Sequence, residues 1–293
     1  MKSGFVALVG RPNVGKSTIL NCILGNKISI VTPKSQTTRD NVQGIYNDDE
    51  SQIVFVDTPG IHEAKNHLGT YMNKEAYAQA DGADLILYLV DASKGLDKDD
   101  KEVLKKIFAY NIPTFCVLNK IDEINNEKLI ERCSYASLNY DFKEIIPISA
   151  LNKDNIEELI KTCASYLKEG PLYYGKDVDD ISSLEFKISE IIREKIILYT
   201  FKEVPHFSAV KIDEIKESDN KIIISASIIV NKSSHKGIII GKNGDMLKKI
   251  NMSSSKEIKS LTGKKVFLSL FVKVEEDWLN KEKKLFDLGY FNE

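Results

Sequence analysis

Five short apolar runs, at residues 5–9, 53–56, 85–90, 114–118 and 145–148, punctuate the first half of the chain. Between most of them lie segments whose apolar positions recur every three to four residues, at 16–24, 98–108, 127–138 and 156–167. The short runs fit buried strands and the longer recurrence fits amphipathic helices. Strand alternating with helix predicts a doubly wound, mostly parallel α/β sheet, with ligands gathered at the carboxyl ends of its strands.

The rhythm breaks at 168–183, where two glycines, a proline and three aspartates read as a linker. Ser182, with Glu185 three positions on, then predicts a capping box for a helix to about Leu198. Strands follow at 208–215 and 221–230 around the polar turn 217–220, then helical patterns on both sides of 241–244, then a strand at 266–274. The expected organisation is a first domain over 1–170, a linker over 171–183 and a smaller α+β domain over 184–274. A tail over 275–293, carrying Trp278, Leu285, Leu288, Gly289 and Tyr290, is expected to pack on that second domain.

Composition narrows the class. Over 293 residues, 42% hydrophobic and 29% charged content fits two globular domains, each with its own core. No apolar run approaches the roughly 18 residues of a membrane span. Phe5 already lies in a core strand, which leaves no room for a leader, so a cytoplasmic protein is expected. Cys22, Cys116, Cys133 and Cys163 lack metal-ligand spacing, and three of them fall in apolar stretches, which predicts buried thiols. Net charge is −6 over 1–180 and +4 over 181–293, with +7 inside 232–265. A basic segment behind an acidic half favours a polyanionic partner for the second domain.

The chemistry sits at the strand ends. Gly10-Arg11-Pro12-Asn13-Val14-Gly15-Lys16-Ser17, followed by Thr18, joins the first strand to a helix. That pattern supplies backbone N–H groups, one ammonium, one hydroxyl and a helix dipole, which is what a nucleoside triphosphate requires. Asp57-Thr58-Pro59-Gly60 ends the second strand, where a carboxylate supports magnesium and a glycine N–H meets the γ-phosphate. Asn119-Lys120-Ile121-Asp122 follows the fourth strand. The Asp122 carboxylate can take two adjacent N–H donors, which guanine offers and adenine does not. Ser149-Ala150, after the fifth strand, is a small pair whose backbone can approach a base. Residues 34–40 are polar and predict a mobile segment in which Thr37 or Thr38 completes a magnesium shell when the γ-phosphate is present.

Together GRPNVGKS, TTRD, DTPG, NKID and SA resemble the TrmE–Era branch of translation-factor-type GTPases over about the first 170 residues. The resemblance implies a P-loop GTPase domain that holds GTP or GDP with Mg²⁺. In it, Lys16 contacts the β/γ-phosphates, Ser17 and Thr38 bind the magnesium ion, and Asp57 supports it. Ile61 departs from Ras-like GTPases, which place a glutamine there to orient water. The branch implies instead that Asn13 ligates K⁺, so catalysis is assigned to Asn13, Lys16, Thr38 and the backbone of Gly60. His62 is a minor candidate for general base. Turnover is expected to be slow.

In the second half, Ile240-Gly241-Lys242-Asn243-Gly244-Asp245-Met246 places a Gly-x-x-Gly turn between helical patterns inside the basic segment. Such a turn lets backbone approach nucleic-acid phosphates and clamps about four nucleotides of single strand. The order helix, strand, strand, helix, GxxG, helix, strand resembles a type II KH domain. Lys242, Lys248 and Lys249 are the phosphate-contacting candidates, and Ile240 or Met246 the lining of an apolar groove beneath the bases. No aromatic lies near the loop, so base-edge hydrogen bonds must carry any sequence preference.

A GTPase domain followed by a KH domain resembles the Era family over nearly the whole chain. That resemblance implies a monomer that binds the 3′ end of small-subunit ribosomal RNA and assists small ribosomal subunit assembly. It also implies peripheral association of some members with the inner face of the cell membrane. A tRNA-modification GTPase is the alternative; it needs further domains and a reactive cysteine near its end, whereas the last cysteine here is Cys163. A membrane-transport GTPase would need a membrane segment.

Overall fold

The computed structural model describes residues 1–34 and 37–290, which form two compact units. The first comprises 1–64 with 72–181, and the second 65–71 with 182–293.

The first unit is built on a six-stranded sheet of order β2-β3-β1-β4-β5-β6. Its strands are β1 (Lys2–Gly10), β2 (Val42–Asn47), β3 (Ser51–Asp57), β4 (Leu85–Asp91), β5 (Thr114–Asn119) and β6 (Glu144–Pro147). Five run parallel and β2 pairs antiparallel to β3. The helices are α1 (Lys16–Leu24), α2 (His67–Asp81, which belongs to this unit from Met72 onward), α3 (Lys98–Phe108), α4 (Asn126–Asn139) and α5 (Ile156–Tyr166). β3 and β4 are buried along their whole length, which explains their unbroken apolar sequences. On one face Val9, Ile86 and Tyr88 meet Ala76 and Ala80 of α2 and Leu104 and Ile107 of α3. Each such fully buried aliphatic side chain contributes about 1.5–3 kcal/mol.

Strand register places the motifs. Leu8 lies opposite Asp57, Gly10 opposite Leu89, and Asp91 opposite Asn119. The ends of β1, β3, β4 and β5 therefore form one rim.

Two elements of this unit exceed the periodicity reading. β2 is absent from it because Val-Gln-Gly-Ile-Tyr-Asn carries a glycine where a strand wants a branched residue; a Cβ on Gly44 would fall 2.2 Å from Leu24 Cδ1. α2 is weakly amphipathic and polar along much of its length, so its packing on the sheet fixes it rather than its pattern.

The second unit contains α6 (Leu184–Tyr199), β7 (Ser208–Glu217), β8 (Lys221–Val230), α7 (Ser233–Ile240), α8 (Asp245–Thr262) and β9 (Lys265–Val274). Its sheet has the order β7-β8-β9, antiparallel then parallel, with an irregularity between Ile212 and Glu214. Ile192 and Ile196 of α6, Ile224 and Ile228 of β8, and Ile250 and Ile258 of α8 share one core. A 3-10 turn at Trp278–Asn280 and α9 (Glu282–Asp287) close the chain, with Trp278 fully buried and its Nε1 donating to Phe207 O at 3.2 Å.

Two local expectations are corrected. The cap of α6 is Ser183, whose Oγ accepts from Phe186 N, and not Ser182; the helix starts one residue later than the Ser-Glu spacing suggested. Of the thiols, Cys116 and Cys163 are buried, whereas Cys22 and Cys133 are only half-buried.

Candidate functional site

The loop 10–15 needs its glycines for stated reasons. Gly10 has φ +153°, and a Cβ there would fall 2.6 Å from Leu89 O. Gly15 has φ +101°, and its Cβ would fall 2.2 Å from Asn119 Nδ2. Both are backbone approaches that no side chain allows. α1 starts directly at Lys16, with no side chain capping its first N–H groups, so its positive end opens on the cleft. That cleft is lined by Asn13, Lys16, Ser17, Thr18, Thr38 and Gly60 among others.

Lys16 is buried, and its Nζ donates to Gly10 O at 3.3 Å and to Arg11 O at 3.1 Å. Burial lowers its pKa to about 8, opposed by the charge of Asp57. Asp57 is fully buried, and burial raises its pKa against the pull of Lys16 and three hydroxyls. Its Oδ2 accepts from Ser17 Oγ at 2.6 Å, Ser29 Oγ at 2.9 Å and Thr38 Oγ1 at 3.4 Å. Its Oδ1 is buried without a hydrogen-bond partner among the described residues. An orphaned carboxylate oxygen beside two hydroxyls suits a hydrated hard cation, so the residues fit magnesium.

The structure separates the two threonines. Thr38 Oγ1 lies 2.8 Å from Ser17 Oγ, while Thr37 Oγ1 pairs with Thr32 Oγ1 at 2.7 Å and donates to Lys34 O at 2.8 Å. The expected mobility of 34–40 falls partly on residues 35 and 36, which lie outside the described residues.

Thr58 Oγ1 donates to Leu8 O at 2.8 Å, pinning the 57–60 turn to β1. Gly60 sits against the loop so closely that a Cβ would meet Pro12 Cα at 2.9 Å. Ile61 is a core residue, 5% exposed among Ala7, Val9 and Ala76, and its N–H donates to Gly10 O. The Arg11 carbonyl accepts from Lys16 Nζ, while its guanidinium pairs with Asp97 at 2.5 Å and Asp99 at 3.0 Å at the start of α3. His62 Nδ1 lies 2.7 Å from Gly60 O, so that nitrogen carries the proton and donates.

The residues expected to recognise the base converge. Asn119 Nδ2 donates to Val14 O at 2.9 Å, and Ala150 N donates to Asn119 Oδ1 at 3.1 Å. Ser149 Oγ donates to Asp122 Oδ1 at 2.5 Å. Lys120, at φ +67°, donates from Nζ to Asp91 Oδ2 at 2.6 Å. The Ala150 amide is therefore engaged with Asn119, and the loop it anchors leaves Asp122 on the rim.

In the second unit, Gly241 has φ +75°, and a Cβ there would lie 2.7 Å from Met246 Cβ. Asn243 and Gly244 also have positive φ, of 54° and 82°. Lys242, Asn243, Lys248 and Lys249 are exposed, while Ile240 and Met246 are half-buried against the unit's core. Lys249 Nζ stands 4.2 Å from the centre of the Tyr199 ring, a cation–π contact. The Tyr199 hydroxyl lies 2.8 Å from Ser253 Oγ, so the ring packs on α8 beyond the loop.

Ser29 and Asn21 had no place in the sequence reading. The one signal was a lone serine between Ile28 and Ile30, a polar position inside an apolar stretch. No helix among the described residues is long and apolar enough to cross a membrane.

Known proteins share this arrangement. A family model described as a 50S ribosome-binding GTPase matches residues 5–120, and a KH domain model matches 203–279. GTPase Era of Clostridium kluyveri is 46% identical over 291 residues, 99% of both chains. A single-residue variant of Aquifex aeolicus Era bound to GDP·AlF4⁻ superimposes with a TM-score of 0.96 at 41% identity, over the whole of both chains. Era in complex with MgGDPNP and nucleotides 1506–1542 of 16S ribosomal RNA gives 0.97 at 41% identity, again over both whole chains.

Proposed function

This chain belongs to the GTPase Era family, and from that premise we propose an RNA-binding GTP switch that acts in small ribosomal subunit assembly. The enzyme is a GTPase. Residues 1–170 form the nucleotide domain, 171–183 the linker, and 184–274 the RNA-binding domain with the tail packed on it. The observation that carries the nucleotide reading is the convergence of Lys16, Ser17, Thr38 and the unpartnered Oδ1 of Asp57 at one cleft.

The loop amides from Asn13 to Thr18 cradle the phosphates, with Lys16 and the α1 dipole balancing their charge. Ser17, Thr38 and Asp57 hold Mg²⁺, which neutralises charge developing on the phosphate oxygens. Asn13, at φ +65° on the cleft, is the proposed ligand of K⁺. With Ile61 in the core and His62 tied to Gly60 O, backbone groups orient the attacking water, which accounts for slow turnover. Asn119, Lys120 and Asp122, backed by Ser149 and Ala150, select guanine.

The second unit grips the 3′ end of small-subunit ribosomal RNA, an assignment supported by the RNA present in the Era complex. Gly241 and Gly244 bring backbone to the phosphates, and Lys242 and Lys248 supply charge. Ile240 and Met246 line the groove. We place the protein in the cytoplasm as a monomer, with peripheral contact to the inner face of the cell membrane. The test is direct: the purified protein should hydrolyse GTP and leave ATP intact, and should shift a labelled 3′-end oligonucleotide but not its scrambled counterpart. ATP turnover equal to that of GTP, or equal binding of both RNAs, contradicts the reading.

A further inference from the structure

Asp57 is the residue on which the metal chemistry turns, and three hydroxyls converge on its Oδ2. Two of them, from Ser17 and Thr38, are the proposed ligands of magnesium. A hydroxyl that ligates the ion keeps its O–H for the carboxylate but takes its position from the ion, so neither anchors the carboxylate independently of the metal. The third, Ser29 Oγ at 2.9 Å, belongs to no proposed ligand.

Ser29 is itself 2% exposed and tightly held. Asn21 of α1 accepts from Ile28 N at 2.8 Å and from Ser29 N at 2.9 Å through Oδ1, and donates from Nδ2 to Ser29 O at 2.7 Å. One side chain thereby fixes the backbone on both sides of the serine. The path runs from α1, four residues beyond Ser17, through Asn21 to Ser29 and on to Asp57. It leaves Oδ1 as the buried oxygen with no hydrogen-bond partner.

We propose that Asn21 and Ser29 are positioning residues for the magnesium site: they lock the Asp57 carboxylate with Oδ2 toward Ser29 and Oδ1 free for the hydrated ion. The inference rests on the magnesium–nucleotide reading above. Its physical basis is that the partner which orients a metal-supporting carboxylate sets affinity almost as strongly as the ligands themselves.

The test measures metal dependence without turnover. Release of a fluorescent GDP is followed by stopped flow while Mg²⁺ is titrated, for the wild type, Ser29→Ala, Ser29→Thr and Asn21→Ala. The wild type should show a Mg²⁺ midpoint for slowed release; if release is indifferent to Mg²⁺, the magnesium reading and this inference fall together. Ser29→Ala should raise the midpoint about tenfold or more, while release in excess chelator stays at the wild-type rate. Ser29→Thr keeps the hydroxyl and should restore the wild-type midpoint. Asn21→Ala should raise the midpoint too, and it carries the test if Ser29→Ala does not fold. A wild-type midpoint in folded Ser29→Ala, or faster release in chelator by the same factor as in Mg²⁺, overturns the proposal. The second result would mark a general packing role.

Discussion

Asn119 donates from Nδ2 to the carbonyl of Val14 at 2.9 Å, so the guanine-recognition loop holds the phosphate loop from behind. The same amide lies against Gly15, and its Oδ1 accepts from Ala150 N. Three motifs, the first 105 residues from the second and the second 31 from the third, are thus locked through one buried side chain.

Asn119→Ala should therefore weaken GTP and GDP together. It strands the Val14 carbonyl and the Ala150 amide, each costing about 1–3 kcal/mol. Fluorescent-nucleotide titration should show a loss of about tenfold or more for both nucleotides. A loss confined to one of them would mean that the residue reads phosphate number rather than organising the loop.

Asp122→Asn replaces a carboxylate by a group that presents an N–H where guanine also presents N–H donors. Preference for GTP over ATP should fall about a hundredfold or more, because the discrimination rests on buried pairing. Competition binding measures it. Guanine preference retained in this variant would remove Asp122 from base recognition.

Lys16 gives a pH signature. Its pKa near 8 lies below the ordinary 10.5, so the unfolded chain binds more protons than the folded one between those values. In the nucleotide-free protein this group's contribution to stability therefore rises with pH across that window. Bound phosphates favour the ammonium, so binding draws in a proton once the pH passes about 8. Affinity for GDP should weaken roughly fourfold from about pH 7 to about pH 8.5. Isothermal titration calorimetry in two buffers of different ionisation heat should register the proton uptake; flat affinity over this range would contradict it.

Gly244→Asp is a clean probe of the RNA site, since a Cβ there meets nothing within 4 Å. It adds a negative charge and strain at φ +82° without a clash, so fluorescence anisotropy should show loss of oligonucleotide binding with unchanged GDP affinity. Gly241→Asp would also press on Met246, 2.7 Å from the new Cβ, and should lower the melting temperature as well. Simultaneous loss of RNA and nucleotide binding in Gly244→Asp would point to misfolding.

Much of this was legible before the structure because the motifs are local. Gly10 to Ser17 must turn from strand to helix whatever surrounds them, and a buried strand such as 85–90 announces itself by its unbroken apolar run. What was hidden depends on contacts distant in sequence. Ile61 reads as a departure at a catalytic position, yet it is a core residue whose environment comes from β1 and α2. Nothing in the sequence ties Arg11 to Asp97 and Asp99, which the fold brings beside it. Tyr199 and Lys249 stand 50 residues apart and meet only because α6 packs on α8. Ser29 acquires meaning only through Asp57. The different hydroxyl partners of Thr37 and Thr38 are likewise visible only in the fold.

The central claim is that one chain joins GTP hydrolysis to an RNA grip. Steady-state GTP hydrolysis, in potassium and in sodium, with and without the proposed ribosomal RNA 3′-end oligonucleotide, tests it most directly. The account predicts slow basal turnover, faster in potassium and stimulated by the RNA, with stimulation lost in Gly244→Asp. A rate indifferent to both the cation and the RNA would contradict it.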